Sequence, residues 1–271
     1  MENTAKKTMD TMEISDEFIF DKISRQAREI QKSDPLLKRL LDEVILTRGT
    51  LWEAIAARIA RKLGTGAIDE SQIYKMFHTS FDDDADMRAK ILSDLRAITS
   101  RDPACSSYLD PILYFKGFHA ITTHRVSHRL WNCGMRHSAY YLQSLSSDIF
   151  GVDIHPAAKF GGGIMLDHAT SFVAGETSAV DDNVSILHEV TLGGSGNETG
   201  DRHPKVGSGV LIGAGAKLIG NITIGKCAKI GAGSVVLDDI PPHTTVAGVP
   251  ARPISPTSDP EPALNMNKKL D

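Results

Sequence analysis

Apolar residues recur every six positions through the second half of this chain, and few folds have that period. They stand at Ile154, Phe160, Leu166, Phe172, Ser178, Val184 and Val190, pause, and resume at Val206, Ile212, Leu218, Ile224, Ile230 and Val236. Twelve of these thirteen are apolar, against 41% for the whole chain. A period of six is too long for one strand and matches no helical face. It fits a β-helix, where each flat side takes six residues and three sides complete a coil. The lead residue then points inward. Gly, or a short residue such as Asn, Asp or His, turns the corner, where φ can be positive. Four positions after a lead, Ala158, Thr170, Val210, Ala216, Ala228 and Ser234 are small enough to fill the remaining interior. Residues 193–205 add ten residues to one side and are expected to loop out, as functional or subunit-contacting loops on rigid coils do. Pro241-Pro242 is expected to end the repeat.

Residues 15 to about 150 read as helices. Asp34-Pro35 and Asp110-Pro111 place an acid at the N-cap before a proline. Asp69-Glu70-Ser71-Gln72 resembles a capping box. Leu51, Ile55, Ile59 and Leu63 share one helical face. Gly64-Thr65-Gly66 and Asp82-Asp83-Asp84 separate such runs. The expected architecture is therefore α+β. A helical domain, expected to serve oligomerisation because it carries more apolar face than one subunit can bury, spans residues 1–150, and a β-helix spans 151–252. A tail spans 253–271, rich in Pro, Ser, Asp and Asn and expected to be mobile.

The 271 residues suffice for one large or two modest cores. A net charge of −4 provides no basic field for nucleic acid or an anionic membrane. No uncharged apolar run approaches the ~18 residues of a membrane span. The start of the chain is polar and charged through Glu17, without an apolar signal core. Cys105, Cys133 and Cys227 are scattered and odd in number, as expected of thiols in a reducing cytoplasm. His124 and His128 stand four apart on one helical face but lack a third metal ligand at suitable spacing. His155 reads as a corner residue.

Several segments resemble the serine O-acetyltransferases, a family of left-handed β-helix acyltransferases. They are Asp153-Ile154-His155-Pro156-Ala157-Ala158, Gly163-Ile164-Met165-Leu166-Asp167-His168-Ala169-Thr170, Gly200-Asp201-Arg202-His203-Pro204-Lys205 and Ala247-Gly248-Val249-Pro250-Ala251-Arg252. The hexapeptides alone point only to the superfamily, whereas the Asp-His-Ala-Thr and Gly-Asp-Arg-His-Pro segments are far more specific. With Arg101-Asp102-Pro103 and residues 114–120, the likeness covers most of residues 90–252.

Acetyl transfer from a thioester to a hydroxyl needs a base, an oxyanion donor and a site for both ends of a zwitterionic acceptor. By the resemblance, His168 is the base and Asp153 the carboxylate that orients it. Without the resemblance, His168 also reads as an ordinary surface histidine at a corner. The resemblance places Asp102, Asp167, Arg202 and His203 on L-serine. Carboxylates suit its ammonium group and a guanidinium suits its carboxylate. Asp102 before Pro103 also reads as a helix N-cap, and Arg202 as a solvated loop charge. A backbone N–H of Gly193-Gly194, at Gly194, is the candidate oxyanion donor.

The resemblance further implies acetyl-CoA as cosubstrate, lying along the coil between subunits. It would meet Ala214, Gly215, Ala232 and Gly233, with Lys229 on a phosphate. It also implies homotrimers paired into a hexamer, and L-cysteine as a feedback inhibitor at the serine site. Family members dock O-acetylserine sulfhydrylase through a C-terminal isoleucine; this chain departs from that pattern, ending Lys268-Lys269-Leu270-Asp271. Competing readings are another hexapeptide acyltransferase, a β-helical zinc carbonic anhydrase, for which His168, His188 and His203 are not suitably spaced, and a non-catalytic scaffold.

Overall fold

Every long helix of the first half starts where a short polar side chain can accept an otherwise unpaired backbone N–H, or where the chain turns straight out of its predecessor. In the computed structural model, residues 15–196 and 199–270 are described. The polar residues 1–14, positions 197–198 of the expected loop and Asp271 lie outside that range. The helices are α1 (Asp16–Ser33), α2 (Lys38–Leu41), α3 (Leu51–Leu63), α4 (Glu70–Asp82), α5 (Ala85–Arg101), α6 (Leu109–Leu113), α7 (Lys116–Asn132) and α8 (Arg136–Phe150). Ser15, Thr50 and Asp84 cap α1, α3 and α5, and Asp69 and Gln72 form the expected capping box on α4. Asp34 caps a 3₁₀ turn at Pro35–Leu37. Asp110 does not cap: α6 starts before it, and its carboxylate accepts from the N–H and hydroxyl of Ser106. The face carrying Leu51, Ile55, Ile59 and Leu63 is fully buried.

Helix α7 lies deepest. Twelve of its seventeen residues are buried, among them His119, Thr122, Thr123 and Arg125. Gly117, in its first turn, lies so close to the β-helix that a Cβ would sit 2.0 Å from the carbonyl oxygen of Leu166. Only glycine permits that approach. Asp94 of α5 takes both arms of Arg125 at 2.8 and 2.9 Å and accepts the Ile164 N–H at 2.8 Å. Arg125 also donates to the carbonyls of Phe160 and Gly161, and Arg101 donates to Gly163 O, Ser185 Oγ and Asn183 Oδ1. Two buried guanidinium groups thus bind the helices to the first two coils.

After Gly151, a left-handed C-cap at φ 66°, the chain coils around three parallel sheets. The first holds β1 (Val152–Ile154), β4 (Phe172–Ala174), β7 (Thr191–Gly193), β10 (Lys217–Ile219) and β13 (Val235–Val236). The second holds β2 (Lys159–Phe160), β5 (Ala179–Val180), β8 (Lys205–Val206) and β11 (Thr223–Ile224). The third holds β3 (Met165–Leu166), β6 (Ser185–Ile186), β9 (Leu211–Ile212), β12 (Lys229–Ile230), β14 (Thr244–Gly248) and β15 (Ala251–Pro256). All thirteen lead residues are buried. A helical half followed by a β-helix is the expected fold class.

The register differs from a simple count in sixes. Ile154 pairs with Ala174 rather than Phe172, while Val152 pairs with Phe172. From Ala174 the column runs to Leu192, Leu218 and Val236. The first coil therefore holds two residues more than the next, and they fall between Leu166 and Ser171. Here His168, Ala169 and Ser171 all have φ near +58°. Two of the ten extra residues expected after Val190 thus belong to the corner carrying His168, leaving eight in the loop before Val206. The slip exchanges two inward positions: Phe172 fills a place expected to be small, and Ala174 fills a lead position. Thr170, expected inside, is exposed on the bulge.

Two further expectations fail at the end of the coil. Pro241-Pro242 does not stop the repeat, because β14 still stacks on β12 with Ile230 beside Val246. Nor do residues beyond 252 trail away. β15 pairs back antiparallel on β14, and α9 (Pro262–Asn265) packs on α5 with Pro262 and Ala263 buried. Asp259 organises this segment by accepting from Glu261 N and Asn265 Nδ2, and Ser185 Oγ donates to Ala263 O.

Candidate active site

The candidate residues gather at two different corners of the coil, on opposite edges of the first sheet. The corner between the third and first sheets carries His168. Its ring is 75% exposed, as expected of a residue that turns the chain outward. Nε2 lies 3.6 Å from Asp167 Oδ1, and the ring packs edge-on at 5.9 Å against His188 of the coil below. Asp102 faces the same cleft, of about 850 Å³, together with Asp167 and His168. It is not the N-cap that Pro103 suggested: it ends α5, and Oδ1 accepts the Ala104 N–H at 2.8 Å. Two carboxylates and an exposed imidazole thus share one opening. The C-terminal segment reaches it too, with Lys268 Nζ 3.5 Å from Asp167 Oδ2.

The corner between the first and second sheets carries Arg202 and His203. Thr177 organises both: its Oγ1 accepts the N–H of Arg202 at 3.0 Å and of His203 at 3.1 Å, and lies 2.8 Å from His203 Nδ1. Since Thr177 N also donates to Nδ1, Nδ1 is the acceptor and Nε2 carries the hydrogen. Burial, and then the nearby Arg202 and Lys205, push the His203 pKa down and favour this neutral form. Gly175 is obligatory beneath the ring, since a Cβ there would meet His203 Nε2 at 1.9 Å. Arg202 donates to Glu176 Oε2 at 2.8 Å, which lowers the Glu176 pKa, and to Gly200 O at 2.9 Å. Lys205 anchors the loop by donating to Thr177 O and His203 O. Gly194 belongs here as well: a Cβ on it would lie 3.3 Å from both Arg202 and His203.

Asp153 faces outward from β1 between buried Val152 and Ile154. It is not joined to His168 within the chain. Gln143 Nε2 of α8 donates to its Oδ1 at 2.6 Å. Its charge is felt by His155, as are those of Glu176 and Arg202. The single chain therefore brings together Asp102, Asp167 and His168, and separately Arg202, His203 and Gly194, with Asp153 on the sheet face between the two corners. Glu176, Thr177 and Gln143 carried no local signal in the sequence, whereas His155 stands at a corner, as expected. The first two would have been found by counting the twenty-residue first coil, which stacks residues 175–178 directly on 155–158.

Ala214, Gly215, Ala232 and Gly233 continue the His168 corner downward. Gly215 N donates to His188 O, and Gly233 N donates to Ala214 O. The result is a ridge of small residues leading away from the imidazole. Lys229 differs from expectation: it is buried, and Nζ donates to the carbonyl of Lys269. Leu270 lies against Gly231 on the same ridge. His188 shares this corner with His168, while His203 occupies another, so the three converge on no single point within the chain. Among the described residues, no group of three or more His, Cys, Asp or Glu is arranged to hold a metal ion. No described helix is long and apolar enough to cross a membrane.

Comparison with known proteins adds independent findings. The model of the N-terminal region of serine acetyltransferases matches residues 19–123, and a model of six bacterial transferase hexapeptides matches residues 203–238. The serine acetyltransferase of Salmonella typhimurium is 46% identical over 255 residues, covering 94% of this chain and 93% of its own. The crystal structure of the Brucella abortus serine acetyltransferase in complex with coenzyme A is 51% identical, with a TM-score of 0.87 over 89% of this chain and 96% of that one. A serine acetyltransferase in complex with cysteine is 44% identical, with a TM-score of 0.91 over 95% and 100%.

Proposed function

The chain belongs to the serine acetyltransferase family, and from that premise we propose how its residues divide the work. The enzyme transfers the acetyl group of acetyl-CoA to the hydroxyl of L-serine, giving O-acetyl-L-serine for cysteine synthesis. In our reading, Asp102 and Asp167 hold the serine ammonium group and Arg202 its carboxylate, with the Nε2–H of His203 as a further donor. His168 removes the hydroxyl proton as the oxygen attacks the thioester carbonyl, and returns it to the departing sulfur of the coenzyme. Asp153 stabilises the imidazolium between those events. Gly194 N–H faces the developing oxyanion. The coenzyme runs down the ridge of Ala214, Gly215, Ala232 and Gly233.

The observation that carries this reading is the split of the candidate residues between two corners flanking one sheet. A three-sided coil in a cyclic trimer can bring the His168 corner of one subunit against the Arg202 corner of its neighbour. That completes three sites from three half-pairs and puts Asp153 within reach of the neighbour's His168. The outward face of the first sheet, with Val173 exposed beside Asp153, supports such packing. We further assign the helical half to pairing two trimers into a hexamer, and the scattered thiols support a cytoplasmic setting.

The test is complementation. Chains with His168→Ala and chains with Arg202→Ala, each slow as homo-oligomers at serine below its KM, are co-assembled in equal amounts and assayed at that serine concentration. About a quarter of wild-type turnover is expected, since that fraction of sites draws both intact halves from different chains. Turnover no higher than in either parent would mean that each chain holds its own complete site.

L-Cysteine carries the same ammonium and carboxylate groups as serine and competes for the same contacts. In our reading the chain itself also competes, because Lys268 Nζ lies 3.5 Å from Asp167 Oδ2. Lys268→Ala is therefore expected to lower the KM for serine about 1.5- to 5-fold, the range of an exposed ion pair. Turnover at saturating serine should not change. An unchanged or raised KM in steady-state assays would show that Lys268 stands clear of the substrate.

A further inference from the structure

We propose that Gln143 is a positioning residue for the transfer: its side-chain amide fixes the Asp153 carboxylate so that the free oxygen meets the histidine of the neighbouring subunit. This rests on the assignment of Asp153 as the carboxylate orienting His168. Helix α8 reaches β1 through two side chains three residues apart, hence on one helical face. Ser146 Oγ donates to Val152 O at 3.0 Å, and Gln143 Nε2 donates to Asp153 Oδ1 at 2.6 Å. The first bond sets the strand against the helix, and the second holds the side chain of the next residue.

Asp153 needs such a support. It projects from the outer face of the sheet, and its neighbour along the coil, Val173, is exposed and offers no hydrogen bond. Left to the strand alone, the carboxylate would sample several rotamers. Its catalytic partner arrives only on assembly, so the group that orients it beforehand must come from its own chain. An amide suits the task chemically: it engages one oxygen and brings no positive charge to compete with an imidazolium for the carboxylate.

The experiment measures kcat and both KM values for Gln143→Met, Gln143→Glu, Asp153→Asn and Asp153→Asn/Gln143→Met, with assembly followed by light scattering. Gln143→Met keeps the shape and removes the donor; kcat should fall about tenfold, with both KM values within about twofold. Gln143→Glu sets a like charge against the carboxylate and should cost about 10²-fold, the scale of a misplaced reacting group. In the Asp153→Asn background, Gln143→Met should add less than about a twofold further loss, because the two residues act as one unit. Wild-type turnover in Gln143→Met beside a slow Asp153→Asn would overturn this inference alone. A fully multiplicative double variant would do the same, marking a structural role, as would failure of both Gln143 variants to assemble. Normal turnover in Asp153→Asn would overturn the underlying assignment, and the inference with it.

Discussion

Replacing His168 with Ala is expected to lower turnover by ~10²–10⁴, the usual worth of a positioned general base. The serine hydroxyl is a weak nucleophile at neutral pH, and His168 is the exposed imidazole of the cleft shared by Asp102 and Asp167. Its ring is solvent-facing, and Asp167 at 3.6 Å is too distant for a strong hydrogen bond, so the fold does not depend on it. Acetyl-CoA binding by calorimetry should therefore stay near the wild-type value while kcat collapses. Loss confined to less than about tenfold would put the base elsewhere, and His203 would be the next imidazole to test.

The second large effect concerns stability. Asp94→Ala should cost about 3–5 kcal/mol, the range for stranding one member of a buried ion pair. Asp94 is fully buried and Arg125 nearly so. A guanidinium cannot shed its proton, so Arg125 would remain charged with only the carbonyls of Phe160 and Gly161 as partners. Removal of Asp94 also orphans the Ile164 N–H. Asp94→Leu combined with Arg125→Met should recover part of the loss, because the uncompensated charge is gone. Denaturant unfolding of the single and double variants would measure both. A loss below about 1 kcal/mol in Asp94→Ala would mean that water or local rearrangement satisfies Arg125.

Much of this architecture was legible in the sequence because a β-helix repeats its burial requirement at every side. Ile154, Phe160 and Leu166 announce three sides before any corner is known. The places where counting failed are those where two inward columns coexist. Lead residues and the residues two before them both face inside, so a two-residue slip at His168 left Phe172, Val184 and Val190 buried and hid itself. The bulge at His168 was thus masked by the regularity around it. Asp102 and Arg202 stood out as charges that suit a zwitterionic acceptor, and the fold sets them at different corners. The separation of Asp153 from His168 within the chain was not legible, because spacing along a sequence does not say which sheet face or corner a side chain occupies. The segment after Pro253 was misread for a different reason. Its composition is that of a solvated tail, yet it is held by backbone pairing to β14 and by Ser185, contacts with no local signature.

The way the coil ends matters for how these molecules can aggregate. A stack of parallel strands presents unpaired N–H and C=O groups at its first and last turns, and such edges invite another molecule to continue the stack. Here the first turn is covered by α7 and α8, with Gly117 pressed onto the carbonyl of Leu166. The last turn of the third sheet folds back on itself through β15, whose Pro253 and Pro256 offer no N–H to a newcomer. End-to-end growth into a fibre is thus hindered at both of these places, by the helices over the first turn and by β15 over the last strand of the third sheet.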